Sequence, residues 1–135
     1  VNAYADLINF KLYMADIGIL TLRSKLPLQT ILLPLEVENT FLGAMTENYV
    51  AQVFATKGYD LFYWQSDGKA EIDFVLQREE GVIPVEVKKG LRTRSRSLSI
   101  FVEKYNSPYA IRISKKNFGF ENNIKSVPLY AAHCI

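Results

Sequence analysis

Between residues 70 and 88 the chain alternates apolar and polar positions with a period of two. Ile72, Phe74 and Leu76 fall on one side, with Glu71, Asp73 and Val75 on the other. After Glu79-Glu80-Gly81 the pattern resumes, Ile83, Val85 and Val87 against Pro84, Glu86 and Lys88. This predicts two strands, 70–77 and 82–88, folded into a hairpin. A turn centred between Glu79 and Glu80 sets Asp73 opposite Glu86 and Glu71 opposite Lys88, because register follows the turn. Upstream the period lengthens. Leu42, Met45, Tyr49, Val50, Val53 and Phe54 recur at helical spacing, Asn39 or Thr40 can cap the start and Gly58 the end, so 39–57 reads as a helix. Glu47 stands at the edge of its apolar stripe, and Gly43, Ala44 and Ala51 let that helix approach a sheet closely.

The remaining elements follow the same logic. Residues 60–66 form an aromatic-rich strand, and Asp67-Gly68 is a hairpin turn signal. Leu98, Phe101, Val102 and Tyr105 predict a second helix over 98–105, followed by a strand over 109–114 and a short one over 127–130, with Asn122-Asn123 in the loop before it. Residues 1–22 read as an arm or short helix with a turn at Asp16-Ile17-Gly18, and 23–37 as an irregular connector in which Pro27 and Pro34 bracket an apolar run. The string is αβββαβ with a short last strand. A crossover helix makes the third and fourth strands parallel, which predicts a three-layer α/β domain: a mixed central sheet with helices on both faces. The expected division is an arm over 1–37 and the domain over 38–135.

Composition narrows the function classes. At 135 residues the chain is one domain with a real core, and 49% hydrophobic content argues against disorder. Cys134 is the single cysteine, so a disulfide framework and a thiolate metal site are both excluded, and a cytoplasmic location is the expectation. No apolar run reaches the length of a membrane span and no signal peptide is evident. A chain starting at Val1 is expected to be a piece of something longer. His133, the one histidine, lies in the tail, and Ser95, Ser97 and Ser99 have no histidine near them in sequence, which argues against a serine hydrolase.

The net charge of +2 hides an uneven distribution. From Lys88 to Lys116 the bases are Lys88, Lys89, Arg92, Arg94, Arg96, Lys104, Arg112, Lys115 and Lys116, against the single acid Glu103. Lys89, Arg92, Arg94, Arg96, Lys115 and Lys116 are the candidate contacts to a nucleic-acid backbone; a solvated basic loop is the alternative. Beside them, Asp73 facing Glu86 would place like charges about 5 Å apart at Cβ, a cost that a divalent cation removes. Oxygen ligands of this kind suit Mg²⁺ or Mn²⁺, with the Val87 carbonyl as a further ligand. A metal there would polarise a phosphodiester and its water, and Lys88 would orient that water, with Glu47 as a third acid. The competing explanation is a solvated hairpin face with weak ion pairs.

Asp73 followed by Glu86-Val87-Lys88 on the next strand, with Glu47 on the first helix, resembles the PD-(D/E)xK nuclease superfamily and its restriction-endonuclease-like core, the archaeal Holliday-junction resolvase branch in particular. A closer resemblance spans nearly the whole chain. Residues 10–20, FKLYMADIGIL, with 43–50, GAMTENYV, then Tyr63-Trp64, Glu71-Ile72-Asp73-Phe74, Pro84-Val85-Glu86-Val87-Lys88, Ser97-Leu98 and Pro128-Leu129-Tyr130, are similar in order to the blocks of a domain of unknown function. That domain follows an AAA+ ATPase module in many archaeal and bacterial proteins. The resemblance implies a nuclease-like C-terminal domain on an ATPase, with no phosphate-binding G-x-x-x-x-G-K-[ST] loop in these residues. Two functions compete: a Mg²⁺- or Mn²⁺-dependent DNA nuclease using Glu47, Asp73, Glu86 and Lys88, and a non-catalytic module that binds nucleic acid or protein. Resolvase-like cutting would further require a homodimer.

Overall fold

The computed structural model describes residues 1, 3, 5–6, 8–25, 27, 29, 40–67, 70–90 and 96–135. Among the described residues, three α-helices, α1 (Ile17–Ser24), α2 (Thr40–Thr56) and α3 (Arg96–Tyr105), accompany six strands. These are β1 (Phe62–Gln65), β2 (Glu71–Arg78), β3 (Gly81–Val87), β4 (Ala110–Ser114), β5 (Gly119–Glu121) and β6 (Ile124–Pro128), and a 3₁₀ helix (Leu129–Cys134) closes the chain. The domain is a mixed α/β sandwich with sheet order β1-β2-β3-β4-β6-β5. β1, β2 and β3 are antiparallel neighbours, β3, β4 and β6 run parallel, and β5 is antiparallel to β6. The expected αβββαβ order is present, and α3 makes the crossover between the parallel strands β3 and β4.

Two apolar clusters hold the layers together. On one face of the sheet Val50, Ala51 and Phe54 of α2 bury against Phe74, Leu76, Ile83, Val85, Ile111 and Ile113. On the other, Leu98 and Phe101 of α3 bury against Ile72, Val75 and Ala110. The Phe54 ring sits edge-on to both Tyr59 and Phe74, at 5.7 and 5.4 Å between centroids. Such burial is worth about 1.5–3 kcal/mol per large side chain, and it fixes which strand residues face which helix.

Three local differences from expectation have clear causes. Asp16-Ile17-Gly18 is a helix start: the Asp16 carboxylate accepts the Ile19 N–H as an N-cap. Asn122 and Asn123 both take the left-handed conformation, φ 52° and 58°, and so form a two-residue hairpin turn that creates β5, a strand absent from the expected string. The last strand accordingly sits at Ile124–Pro128, and residues 129–134 wind into the 3₁₀ helix, with Ala132 buried in the α2-side core.

The fourth difference matters most. The β2–β3 register is the expected one, Phe74 against Val85 and Arg78 against Gly81. Against β1, however, β2 slips: Phe62 pairs with Val75 but Trp64 with Ile72, so Asp73 and Phe74 together oppose one residue, Tyr63. This β-bulge breaks the alternation. Ile72 therefore packs on the α3 side with Val75, while Phe74 and Leu76 pack on the α2 side. The expectation that Ile72, Phe74 and Leu76 share a face is corrected by that one extra residue.

Candidate functional site

The bulge decides where the acids go. Glu71 and Asp73 turn toward α2, where Glu47 waits on the third turn of the helix. The cation that joins them comes from the N-terminal segment. Lys11 Nζ lies 3.1 Å from Glu47 Oε1, also pairs with Glu71 Oε1, and sits 5.2 Å above the Tyr63 ring. Tyr13 donates its hydroxyl to the same Glu47 oxygen at 2.7 Å. One residue on, Met14 and Asn48 exchange two hydrogen bonds: the Met14 N–H donates to Asn48 Oδ1 at 2.7 Å, and Asn48 Nδ2 donates to the Met14 carbonyl at 2.9 Å. Asn48 is buried, so these bonds satisfy groups that water cannot reach.

The electrostatics follow. Burial alone would lower Lys11, but its hydrogen bonds to Glu71 and Glu47 outweigh that and hold it above its ordinary value. Burial and the Glu47 hydrogen bond push the Tyr13 phenol upward, so it stays a donor. Asp73 is pushed up to about 6, first by burial, against which the Val87 N–H donates to its Oδ2 at 2.7 Å; the charges of Glu47 and Glu86 add to the rise and Lys11 opposes it.

Glu86 belongs to the other side of the sheet. Val85 and Val87 pack toward α2, and Glu86 lies between them beside its ladder partner Arg112. Only 4% exposed, it pairs with Lys88 Nζ at 3.0 Å through Oε1 and approaches Arg112 Nε at 3.8 Å through Oε2. The structure thus brings Glu86 together with Lys88, and leaves Asp73 on the Val87 N–H with Glu47 and Glu86 both close enough to act on its charge. Asp73 and Glu86 do not stand as the regular ladder pair expected: the bulge turns the Asp73 carboxylate onto the Val87 N–H at the seam between β2 and β3. The two carboxylates remain near enough for Glu86 to raise Asp73.

The basic residues divide in the same way. Arg112 is partly buried beside Glu86, and Lys104, exposed, lies over the rings of Trp64 and Tyr105. Lys88 and Lys89 follow the end of β3, while Lys115 and Lys116 follow the end of β4, next to it in the sheet. Lys89 and Lys115–Lys116 are exposed, as is Arg96 at the start of α3; Arg92 and Arg94 lie outside the described residues. Among the described residues no three carboxylate, histidine or cysteine side chains gather as a metal site.

Residues 42–132 match DUF4143, a domain of unknown function. The chain belongs to that family. No curated protein and no solved structure gave a match. The DUF4143 span contains Glu47, Asp73, Glu86, Lys88 and Arg112, whereas Lys11 and Tyr13 lie upstream of it. Those two and Arg112 are the site residues that pattern reading missed. Lys11 and Tyr13 stood in view in the FKLY block, but a segment without periodicity gives no sign of what it covers. Arg112 occupies the polar place in an otherwise apolar strand, which was the available signal. No helix among the described residues is long and apolar enough to cross a membrane.

Proposed function

We propose that this DUF4143 domain is a nuclease-like module, carried behind an AAA+ ATPase in its parent protein, that binds a nucleic-acid backbone at the carboxyl end of β3 and β4. One observation carries the reading. β3 and β4 run parallel and stop side by side, and each is followed at once by two lysines, Lys88-Lys89 and Lys115-Lys116. The carboxyl ends of parallel strands are where open α/β sheets take ligands, and lysines there neutralise phosphates and release counterions. The acid charge at this end is partly neutralised within the protein, Glu47 and Glu71 sharing Lys11 and Glu86 pairing with Lys88 and Arg112, which lessens its repulsion of a phosphate.

That same neutralisation argues against Mg²⁺ or Mn²⁺ in this arrangement. Asp73 already accepts the Val87 N–H and Glu86 is paired with Lys88, so each carboxylate has a protein donor in place. The carboxylates as arranged do not fit the ion, and no step is routed through one. Metal-dependent hydrolysis of DNA is the second reading. It is favoured by the presence of Asp73, Glu86 and Lys88 at this one end of the sheet, with Asp73 raised by both neighbouring acids.

The test is fluorescence anisotropy with labelled duplex, single-stranded and four-way-junction DNA across about 50–200 mM salt. Affinity falls with salt, and Lys115→Glu with Lys116→Glu weakens binding to every sequence and reduces the salt slope by about two. Absence of binding at about 50 mM salt, or binding indifferent to the charge reversal, overturns the reading. Incubation with Mg²⁺ and Mn²⁺ decides the second: cleavage that disappears in both Glu86→Ala and Lys88→Ala establishes it.

A further inference from the structure

Arg112 carries a guanidinium for which the fold supplies no hydrogen-bond acceptor. It stands on β4 between Ile111 and Ile113, which bury on the α2 side, so its side chain lies on the α3 side. There it shares a row with its ladder partners, Glu86 of β3 and Ser126 of β6. The side chain is 12% exposed, and its Nε is buried. Its approach to Glu86, Nε to Oε2, is 3.8 Å, beyond hydrogen-bonding distance. Among the described residues no other acceptor meets the side chain. Buried donors in a native fold normally have their acceptors, and the planar fork of a guanidinium is matched by an oxyanion.

Charge points the same way. Glu86 holds Lys88 Nζ at 3.0 Å on its other oxygen, so two cations share one carboxylate. The positive charge left over acts more strongly here than on the surface, because burial removes the water that would screen it. Depth separates this row from its rim. Arg112 precedes the end of β4 by two residues, about 7 Å along the strand, whereas Lys115 and Lys116 follow that end and are exposed. A phosphodiester within a nucleic-acid chain has a single charge and a sugar on each side, which hold it at the rim. A terminal phosphate has about two charges and three acceptor oxygens on one tether. It is the group that can reach inward and satisfy the Arg112 fork and Lys88 together.

On the nucleic-acid reading proposed here, we infer that Arg112 and Lys88 form a receptor for the phosphorylated end of a nucleic-acid chain, while the exposed lysines hold the adjoining phosphodiesters. Ser126, in the same row, offers a further hydroxyl. The domain then selects an end and not a sequence.

Fluorescence anisotropy on the 135-residue chain tests this with one internally labelled single-stranded oligonucleotide, carrying a 5′-phosphate, a 3′-phosphate or hydroxyls at both ends. At about 100 mM salt at least one phosphorylated form binds about tenfold or more tighter than the hydroxyl form. At matched circular dichroism, Arg112→Gln brings that ratio to within about twofold. Arg112→Lys, which keeps the charge beside Glu86 without the planar fork, narrows it to about threefold. Lys115→Glu with Lys116→Glu weakens all forms together and preserves the ratio. Equal binding of the three forms by the unmodified chain overturns the inference and leaves the backbone reading standing, whereas failure of every form to bind overturns both. A preference that survives Arg112→Gln removes Arg112 from the receptor. Inorganic phosphate that competes as well as the phosphorylated oligonucleotide overturns the assignment to a chain end.

Discussion

Asp73→Asn should make the protein more stable above pH 6, and the size of the gain follows from one buried carboxyl. Asp73 titrates near about 6 in the folded protein against an ordinary 3.8, with burial as the main cause. An acid raised on folding holds its proton in the native state after the unfolded chain has released it. Stability therefore falls as pH rises from about 4 to about 6 and carries the whole penalty above that. The difference of about two pH units corresponds to about 3 kcal/mol. Asparagine cannot ionise, and its carbonyl oxygen can still accept the Val87 N–H. Urea unfolding of both proteins from about pH 3.5 to 8 gives the comparison. The advantage of Asp73→Asn over wild type should be small at the acid end and grow by about 3 kcal/mol across the window. Curves that run parallel throughout would refute the reasoning, since they would mean that Asp73 ionises in the fold as easily as in the unfolded chain.

Lys11→Met should cost about 1–3 kcal/mol in urea unfolding, because Glu47 and Glu71 lose their shared cation, whereas Lys11→Arg should restore part of the loss. Asn48→Ala should cost about 2–3 kcal/mol and speed amide exchange at Met14, whose N–H loses its acceptor. Lys88→Met should destabilise by about 2–4 kcal/mol by leaving the buried Glu86 with Arg112 as its remaining basic neighbour, whereas Lys88→Arg should restore most of the loss. Phe54→Ala should cost about 3–5 kcal/mol in thermal or urea unfolding, since its ring joins Tyr59 and Phe74 in the α2-side core.

Periodicity carried the fold a long way. The stripe from Leu42 to Phe54 located α2 to within a residue or so, and the turn at Glu79-Glu80 fixed the β2–β3 register. Parallel β3 and β4 followed from the helix between them. What period two could not reveal was the bulge at Asp73-Phe74, because nothing in EIDFVLQ distinguishes a regular strand from one that must accommodate a shorter neighbour. The orientation of a carboxylate thus depended on β1, a strand whose pairing was not considered when the hairpin was folded by itself. β5 escaped for the opposite reason. FGFE is too short to register as a period, and its evidence lay in Asn122-Asn123, two residues that tolerate positive φ. Lys11 was invisible as a counter-ion since its partners lie 36 and 60 positions along the chain.

The attachment of residues 11–14 has a kinematic consequence. Lys11, Tyr13 and Met14 each grip α2 at neighbouring positions, two on Glu47 and one on Asn48, so the segment and the middle of the helix have no independent freedom there. A pull or twist applied to the chain ahead of Lys11 does not dissipate in slack. It loads Lys11 first, ahead of Tyr13 and the Met14–Asn48 clasp, and when that contact yields, Glu47 and Glu71 lose their ammonium and Asp73 its opposing positive charge at the same moment. Mechanical load on this short stretch is thereby converted into a change of charge at the sheet, without any movement of the sheet itself.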